Sequence, residues 1–574
     1  MRGKLFLECF FLLLQLINIA KSDGNIEIIS SFGRMKGIEK TVSDGNEKVY
    51  QFLKIPYAKP PLGKRRFQKP QPHEKLSGLY DATKLGPSCI QNITDENKLF
   101  LSNLNTSEDC LHLNVYVPHD LSTILRPVMI WIHGGGWEIG QATMYDGSLI
   151  ATVGDVIVVT INYRLGFFGF MTTLNDQFPG NYGLYDQMEA IRWTKKHISS
   201  FGGDPNKITL FGESAGAFSI VYLATSPLSI GLFQRVILES GGDLKPYVLE
   251  PTIKSHSYQV MKGVGCLNET DVMSISTDVI QCLQNIDAEI LLMESARITG
   301  SSKELVPVWV ESFRPCIDGE LIQDVPEKIL ENTSSVSFQV FNSIDILQGI
   351  NSGEGATVLP AVDILQNKYN FSLENGIPTE VLCKELIPSM VRQFYNSNDR
   401  ISEVMCGAYT NFEGLKEQGH SVIDWFGDLL FTYPMQQILD FHSKFSSRST
   451  YQYLFTKVPS YRWYPVPAWF HGVNHGEEEP CVFGLTIVSN HTHDEKILCN
   501  KIMEYWTKFA KTGNPNDGTN GTLVWPSYKN RKAFIEFGDK VRIRHDLFRG
   551  RIVLWEKTIP NVLSHTNFNV PFGK

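Results

Sequence analysis

The sequence has 574 residues, of which 42% are hydrophobic and 20% are charged. This composition is typical of a globular protein with a large buried core. Its 53 basic and 61 acidic residues leave a formal net charge of −8. So mild an acidic excess over this length argues against nucleic acid or an anionic membrane surface as the main partner.

The N-terminus has the pattern of a secretory signal peptide. A short basic start at residues 1–4 precedes a mostly apolar run over residues 5–19. This run is shorter than the ~20 apolar residues of a membrane span. We expect residues 1–22 to be the signal, cut near residues 20–22, and residues 23–574 to be a secreted chain without a membrane span.

An oxidising compartment would suit two further features of the sequence. Nine cysteines remain of ten once Cys9 of the signal is removed, and this odd number leaves at least one thiol without an intramolecular partner. Seven Asn-x-Ser/Thr triplets are candidate glycosylation sites on a secreted chain. They begin at Asn92, Asn105, Asn268, Asn332, Asn370, Asn490 and Asn520.

The spacing of the cysteines predicts only part of their pairing. The pairs Cys89/Cys110 and Cys266/Cys282 are close in sequence and are spaced like local disulfides that close short loops. Spacing alone does not pair the remaining five, which are Cys316, Cys383, Cys406, Cys481 and Cys499. Zinc is not expected, because the sequence has no Cys-x2-Cys pair.

Apolar runs alternate with helical patterns along the chain, which is typical of a mainly parallel sheet covered by helices. Strands are predicted at residues 128–132, 156–160, 208–211, 235–238, 337–341 and 451–455. Helices are predicted at residues 183–199 and 215–223, and residues 246–335 are expected to be helices and loops inserted between strands. We expect one large α/β domain over residues 23–574.

A Gly-x-Ser-x-Gly pentapeptide at residues 212–216 lies between a predicted strand and a predicted helix. By itself it is a weak signal that a structural turn would also satisfy. In this context a strained turn can raise the hydroxyl of Ser214 above the sheet edge, and the helix directs its positive end there. The pattern therefore favours Ser214 as a nucleophile for acyl transfer.

Three consecutive glycines, residues 134–136, follow an earlier predicted strand. Glycines let backbone N–H groups approach a ligand closely. Gly135, Gly136 and the N–H of Ala215 are therefore candidates for an oxyanion hole. A phosphate-binding loop is disfavoured, because no Lys-Ser/Thr follows the glycines.

An acid and a base should follow the serine in chain order. Glu354 is a candidate acid, because it lies on a loop just after the apolar stretch 344–350. Four downstream histidines are candidate bases, and spacing alone leaves the choice among them open. They are His420, His442, His471 and His475.

The chain resembles the type-B carboxylesterase/cholinesterase family of α/β-hydrolases from about Gly33 to Phe548. Matching runs include residues 55–61, 108–118, 162–164 and 201–216. The resemblance implies a large mixed, mostly parallel sheet flanked by helices, with helical insertions. It also implies disulfides Cys89–Cys110 and Cys266–Cys282, whereas the later cholinesterase disulfide has no clear counterpart here.

The same resemblance implies a triad of Ser214, Glu354 and His475. In the family the base lies nine residues before the glycine of a Val-Phe-Gly run, which is residues 482–484 here. Glu213 and Ser240 match positions that steady the histidine and the acid. The family needs no cofactor, and none is expected.

Sequence differences from cholinesterases bear on the substrate. Choline binding uses aromatic rings, yet the segment from Cys89 to Cys110 contains no Trp, and Thr357 stands where choline binders carry an aromatic residue. Trp309 and Tyr247 fall at acyl-pocket positions of the family. We expect a carboxylesterase for small to medium uncharged esters. The alternatives are a silent adhesion protein, disfavoured because every site position is filled, and a true cholinesterase. The sequence does not predict the physiological ester or the oligomeric state.

Overall fold

The structure, a computed structural model, describes most of the chain. The described residues are 20–22, 24–42, 47–93, 105–119, 124–244, 253–268, 275–300, 313–395, 397–462, 464–485, 491–516 and 523–565. Residues 1–19 of the predicted signal peptide and the predicted acyl-pocket residues Tyr247 and Trp309 lie outside this part.

The strands of the described residues are named in chain order. They are β1 Ala20–Ser22, β2 Asn25–Ser30, β3 Gly33–Val42, β4 Glu47–Pro56, β5 Leu79–Asp81, β6 Ser88–Cys89, β7 Thr106–Ser107, β8 His112–Pro118, β9 Arg126–Ile132, β10 Ile157–Ile161, β11 Gly203–Glu213, β12 Arg235–Glu239, β13 Asp345–Asn351, β14 Thr450–Phe455, β15 Ala533–Phe537 and β16 Val541–His545.

The α-helices are named in the same way. They are α1 Ser148–Gly154, α2 Gly166–Phe170, α3 Tyr182–His197, α4 Ala215–Ala224, α5 Ile253–Gly263, α6 Thr277–Asn285, α7 Ala288–Thr299, α8 Pro326–Glu331, α9 Val336–Asn342, α10 Leu359–Asp363, α11 Gln366–Tyr369, α12 Ile387–Tyr395, α13 Asp399–Tyr409, α14 Leu415–Gly427, α15 Tyr433–Phe445, α16 Glu479–Val482, α17 His493–Thr512, α18 Arg549–Val553 and α19 Ile559–Ser564.

Shorter helical turns complete the elements. The 3-10 turns are Gly63–Arg65, Ala142–Met144, Ile198–Phe201, Pro227–Ser229, Glu354–Val358 and Leu373–Asn375. The π-helical segments are Val381–Leu386, Asp428–Thr432 and Leu554–Thr558. Within the described ranges, no helix is both long enough and apolar enough to cross a membrane.

One large mixed sheet carries the fold. Its strand order is β1-β2-β3-β4-β8-β10-β9-β11-β12-β13-β14-β15-β16, with β5 beside β3. The six strands that start this order pair antiparallel, the strands from β10 to β15 pair parallel, and β16 closes the other edge antiparallel. The predicted α/β architecture with a mostly parallel centre is thus confirmed.

Helices cover both faces of the sheet because its central strands alternate buried apolar side chains between them. On β9, Met129 and Trp131 pack on one face, in the same hydrophobic cluster as Leu149 of α1 and Met503 of α17. Ile130 and Ile132 pack in the cluster on the other face, which also contains residues of α3, α4 and α15. Both faces of a central parallel strand are therefore buried, which explains its continuous apolar sequence.

One predicted strand is wrong. Residues 337–341 belong to helix α9, and the strand is the next element, β13. Ser335 accepts a hydrogen bond from the N–H of Phe338 at 3.0 Å and so caps the helix. The buried residues Ser337, Val340 and Phe341 follow a helical spacing, which the alternating apolar pattern concealed.

The other predicted strands and helices occur with shifted ends, and the described part of residues 246–335 consists of helices and loops, as predicted. The sequence pattern missed the antiparallel strands before β9 and the hairpin β15–β16. Parallel pairing brings the carboxyl ends of β9, β11, β12 and β13 to one edge of the sheet. The residues that follow these strands meet at that edge.

Candidate active site

Ser214 occupies a sharp turn between β11 and α4. Its backbone angles are φ 51° and ψ −124°, a region that costs energy for a residue with a side chain. Its N–H donates to the carbonyl of Glu239 at 2.9 Å, which fixes the turn. A Cβ at Gly216 would lie 1.9 Å from the carbonyl oxygen of Ile132, so this position requires glycine. The turn leaves Ser214 partly exposed.

The glycine segment 134–136 lies against this turn. A Cβ built on Gly134 would stand 3.0 Å from the Cβ of Ser214. Gly135 and Gly136 have φ angles of 100° and 62°, which favour glycine. Among the described residues, no backbone carbonyl accepts from the N–H groups of Gly135, Gly136 or Ala215.

Glu354 follows β13 and opens a 3-10 turn. Its Oε1 accepts hydrogen bonds from the Ser240 hydroxyl at 2.5 Å and from the N–H of Asn351 at 2.6 Å. Its Oε2 lies 2.6 Å from Nδ1 of His475. Only 3% of Glu354 is exposed. The structure therefore brings together the predicted acid, the predicted base and Ser240.

The second ring nitrogen of His475 faces Glu213. Its Nε2 lies 3.1 Å from Oε1 of Glu213, the residue immediately before Ser214. Within the described part of the chain, the Ser214 hydroxyl forms no hydrogen bond, so it is not yet paired with Nε2. The ring of Phe431 packs on the imidazole at 4.6 Å between centroids. In this structure Nε2 of His475 thus contacts the carboxyl group of Glu213 and is not hydrogen-bonded to Ser214.

A group of buried carboxyls surrounds this arrangement. Burial, reinforced chiefly by Glu479, raises the pKa of Glu213 well above its usual value. Burial, with a smaller contribution from the charge of Glu354, raises the pKa of Glu478 to about 7. Burial, with a smaller contribution from the charge of Glu478, raises the pKa of Glu479 to about 8. Burial also raises the pKa of Glu239. The site therefore favours protonated carboxyls around the Glu354–His475 contact.

Two polar neighbours of the acid were missed in the sequence. Glu478 accepts from the Ser240 hydroxyl at 3.2 Å and from the side-chain amide of Asn351. Asn351 also donates to the carbonyl of Asn474, beside His475, at 2.9 Å. Glu478 could have been noticed because it stands three residues after His475. Nothing local to Asn351 distinguishes it from other loop residues.

The other candidate bases have different surroundings. His442 is fully buried, with its nitrogens 2.8 Å from the Thr450 hydroxyl and 3.0 Å from the Ile344 carbonyl. The ring of His420 packs edge-on against Trp469 at 5.2 Å. His471 is exposed on the loop that leads to His475.

His471 lines a surface groove of about 660 Å³. It is lined by residues of the segment 458–471, including Arg462 and Phe470. Ser214, Glu354 and His475 do not line it. It adjoins the site indirectly, since Phe470 packs against Gly353 and Arg462 pairs with Glu477 at 2.8 Å.

Four disulfides are present in the described residues. They are Cys89–Cys110, Cys266–Cys282, Cys383–Cys406 and Cys481–Cys499. The last two supply pairings that spacing did not predict. Cys316 is a buried free thiol, and burial raises its pKa to about 12. A thiol so hard to ionise has low reactivity.

Five of the seven predicted glycosylation sequons have an exposed asparagine. They are Asn92, Asn105, Asn268, Asn332 and Asn370. Asn490 and Asn520 lie outside the described residues. Across the described ranges, no group of three or more His, Cys, Asp or Glu side chains is arranged to hold a metal ion.

The sheet with its strand–serine–helix turn and the nearby acid–histidine pair define an α/β-hydrolase. The chain matches the carboxylesterase family over residues 25–555 and belongs to it. It is 32% identical to carboxylesterase 5A of Canis lupus familiaris over 93% of this chain and 89% of that protein. It is 33% identical to acylcarnitine hydrolase of Mus musculus over 96% of this chain and 95% of that protein. The protein is a carboxylic ester hydrolase.

Proposed function

We propose that this enzyme cleaves esters through an acyl-enzyme on Ser214, with His475 as general base and acid and Glu354 as its carboxylate partner. The observation that carries the proposal is the 2.6 Å contact between Glu354 Oε2 and His475 Nδ1 beside the Ser214 turn. A proton held on Nδ1 leaves Nε2 free to accept the proton of an alcohol.

In the acylation step, Ser214 Oγ attacks the ester carbonyl carbon while Nε2 of His475 takes the hydroxyl proton. For this transfer, Nε2 moves from Glu213 to Ser214, as catalytic hydrogen bonds often tighten only when substrate is bound. The tetrahedral intermediate then collapses, the bond to the alcohol oxygen breaks, and His475 protonates the leaving alcohol. Water repeats the sequence on the acyl-enzyme and releases the acid.

The N–H groups of Gly135, Gly136 and Ala215 stabilise the negative oxygen of each tetrahedral intermediate in this proposal. Positive φ angles at both glycines support it, because other residues rarely adopt this backbone conformation. Loss of one such donor typically costs ~10²–10³ in rate.

Ser240 and Glu478 are assigned a supporting role. Ser240 donates to Glu354 at 2.5 Å and so fixes the carboxylate that orients His475. Glu478 shares the Ser240 hydroxyl and the Asn351 amide. Partners of this kind hold a catalytic group in its productive orientation.

Small to medium uncharged esters are the proposed substrates. The segment from Cys89 to Cys110 offers no tryptophan for a quaternary ammonium group, and Thr357 is not aromatic. The name of the mouse relative, acylcarnitine hydrolase, points to a charged alternative, since acylcarnitine also carries a quaternary ammonium. We further propose that the enzyme works in a secreted or lumenal compartment, because four disulfides suit an oxidising environment.

Trapping of the acyl-enzyme tests this function. Mixing with excess p-nitrophenyl acetate should give a burst of p-nitrophenolate close to one equivalent per active enzyme, followed by slower turnover. Acid quenching and peptide mass spectrometry should find the acetyl group on the peptide that contains Ser214. Acetyl on another residue, with Ser214 unmodified throughout turnover, would rule the proposal out.

A further inference from the structure

The ring of Phe431 covers the imidazole of His475. The two ring centroids are 4.6 Å apart, at an angle of 41° between planes. Phe431 is 4% exposed, so neighbouring residues hold the ring from behind. Glu354 contacts only one edge of the imidazole, at Nδ1. Glu213 meets the opposite edge, at Nε2. Because both carboxyl groups contact only the edges of the imidazole, the ring packed on its face restricts the movements that these edge contacts leave free.

Phe431 lies in an irregular turn of a long helix. The π-helical segment Asp428–Thr432 joins α14 to α15. The preceding turn touches the acid loop, since a Cβ on Gly355 would lie 1.9 Å from the carbonyl oxygen of Ile423. One continuous helix thus contacts the acid loop through one turn and the base through the next. Such π-helical insertions often occur at functional sites.

An anchor outside the site fixes this segment. Asp428 is fully buried, and its Oδ2 accepts from the Tyr409 hydroxyl at 2.8 Å. Arg551 of α18 places Nε 2.8 Å from Asp428 Oδ2 and donates from Nη2 to Oδ1 at 3.1 Å. Arg551 also pairs with Asp424, one turn earlier on α14. Through Arg551, helix α18 therefore holds the end of α14 and the start of the π-helical segment, just before Phe431.

From these contacts we propose that Phe431 is a positioning residue for His475 and that the Arg551–Asp428 pair holds Phe431 in place. The inference rests on the proposed role of His475 as base. It assigns part of the catalytic geometry to Phe431, 44 positions before His475, and to Arg551, 76 positions after it. A misplacement of ~1 Å at such a base can cost ~10²-fold in rate.

The charge of the anchor supports this assignment. Burial raises the pKa of Asp428 to about 6, and Arg551 opposes that rise. Without Arg551, the carboxyl would more readily become neutral and lose its strongest partner. Loss of Arg551 is therefore expected to displace Phe431 and to lower kcat in the same way as loss of the Phe431 ring.

Substitution of Phe431 tests its proposed role in positioning His475. Phe431→Leu keeps an apolar side chain but removes the flat surface, so kcat should fall at least about 10-fold while KM changes less than about 2-fold. Phe431→Tyr keeps the ring and should recover most of this loss. Phe412→Leu is the matched control, because Phe412 is 95% exposed. A melting temperature close to that of the parent enzyme in each variant excludes a folding defect.

Substitution of Arg551 tests its proposed role in holding Phe431. Arg551→Met should reduce kcat in the same way, and Arg551→Lys should be milder. Arg549→Met on the same helix is the control, because Arg549 is 69% exposed and, among the described residues, pairs only with Asp546 at 3.4 Å.

Proton NMR gives a readout independent of turnover. The short hydrogen bond between Glu354 and His475 should give a far-downfield Nδ1–H resonance. It should shift or broaden in Phe431→Leu and Arg551→Met but not in the two controls. Parental kcat and an unmoved resonance in both variants would overturn the inference. A wild-type enzyme that forms no acyl-enzyme would instead refute the proposed function, while the resonance would still report the geometry.

Discussion

Nε2 of His475 lies 3.1 Å from Oε1 of Glu213, one residue before the serine it is proposed to activate. Burial and the neighbouring Glu479 raise the pKa of Glu213 well above its usual value. A protonated carboxyl at this position can donate to Nε2, which favours the tautomer that Glu354 also favours through Nδ1. In this arrangement the resting contact presents Nε2 as a hydrogen-bond acceptor.

This relationship predicts a difference between two substitutions. Glu213→Gln keeps a neutral donor of the same shape, so kcat/KM at pH 7 should fall less than about 3-fold. Glu213→Leu removes the donor, and its kcat/KM should fall at least about 10-fold. Steady-state kinetics on one ester would decide the matter. Equal, large losses in both variants would mean that the negative charge of Glu213 is what matters.

The choice of base predicts that neighbouring histidines are not equivalent. His475→Ala should remove nearly all turnover, since His475 is the proposed acceptor of the Ser214 proton. His471→Ala should keep most of the turnover, because His471 is exposed and lines the separate groove. The measurement is kcat/KM at pH 7 for both variants. A comparable loss at His471 would show that the wrong histidine was chosen.

Glu479 should make stability depend on pH. Burial, followed by Glu478, raises its folded-state pKa from 4.5 to about 8. The folded state therefore binds this proton more tightly than the unfolded state, and the resulting stability is lost as the pH rises from 4.5 through 8. Glu479→Gln keeps a partner for the Tyr145 hydroxyl, which donates to Glu479 at 3.1 Å, and should escape this loss.

Thermal unfolding at pH 5 and pH 9 would test this. The melting temperature of Glu479→Gln relative to the parent enzyme should rise between these two values. Glu504→Gln is the control, because this carboxylate is half-exposed and its ion pair with Lys508 is long, at 3.5 Å. A difference in melting temperature between Glu479→Gln and the parent enzyme that stays constant with pH would contradict the prediction.

A panel of esters should separate the substrate classes. With one acyl chain and a varied alcohol, kcat/KM should be higher for a neutral alcohol than for choline or carnitine, since the aromatic positions of choline binders are not filled here. With one alcohol and a varied acyl chain, the rate should fall as the chain becomes long. A preference for the carnitine ester would assign this enzyme the specificity named for its mouse relative.

The sequence predicted the centre of the fold well because the central strands are short, buried and apolar on both faces. Strand β11, the Ser214 turn and helix α4 follow one another directly along the chain, so their local pattern of residues was enough to predict them. Residues 337–341 were wrong because their apolar alternation fits a strand, whereas capping by Ser335 and packing along one helical face made them helical.

Contacts between distant segments could not be predicted in this way. The packing of Phe431 on His475 and the pairing of Arg551 with Asp428 both join separate parts of the chain. No local pattern of residues specifies such contacts. The family resemblance supplied the acid and the base, which chain order alone left open.

Labelling with a fluorophosphonate probe tests the central claim most directly, because such probes react covalently with an activated serine. The proposal predicts one label per molecule, on the peptide containing Ser214, and none in Ser214→Ala or after heat denaturation. A correctly folded enzyme that hydrolyses esters while Ser214 stays unlabelled, or that labels at another serine, would contradict it.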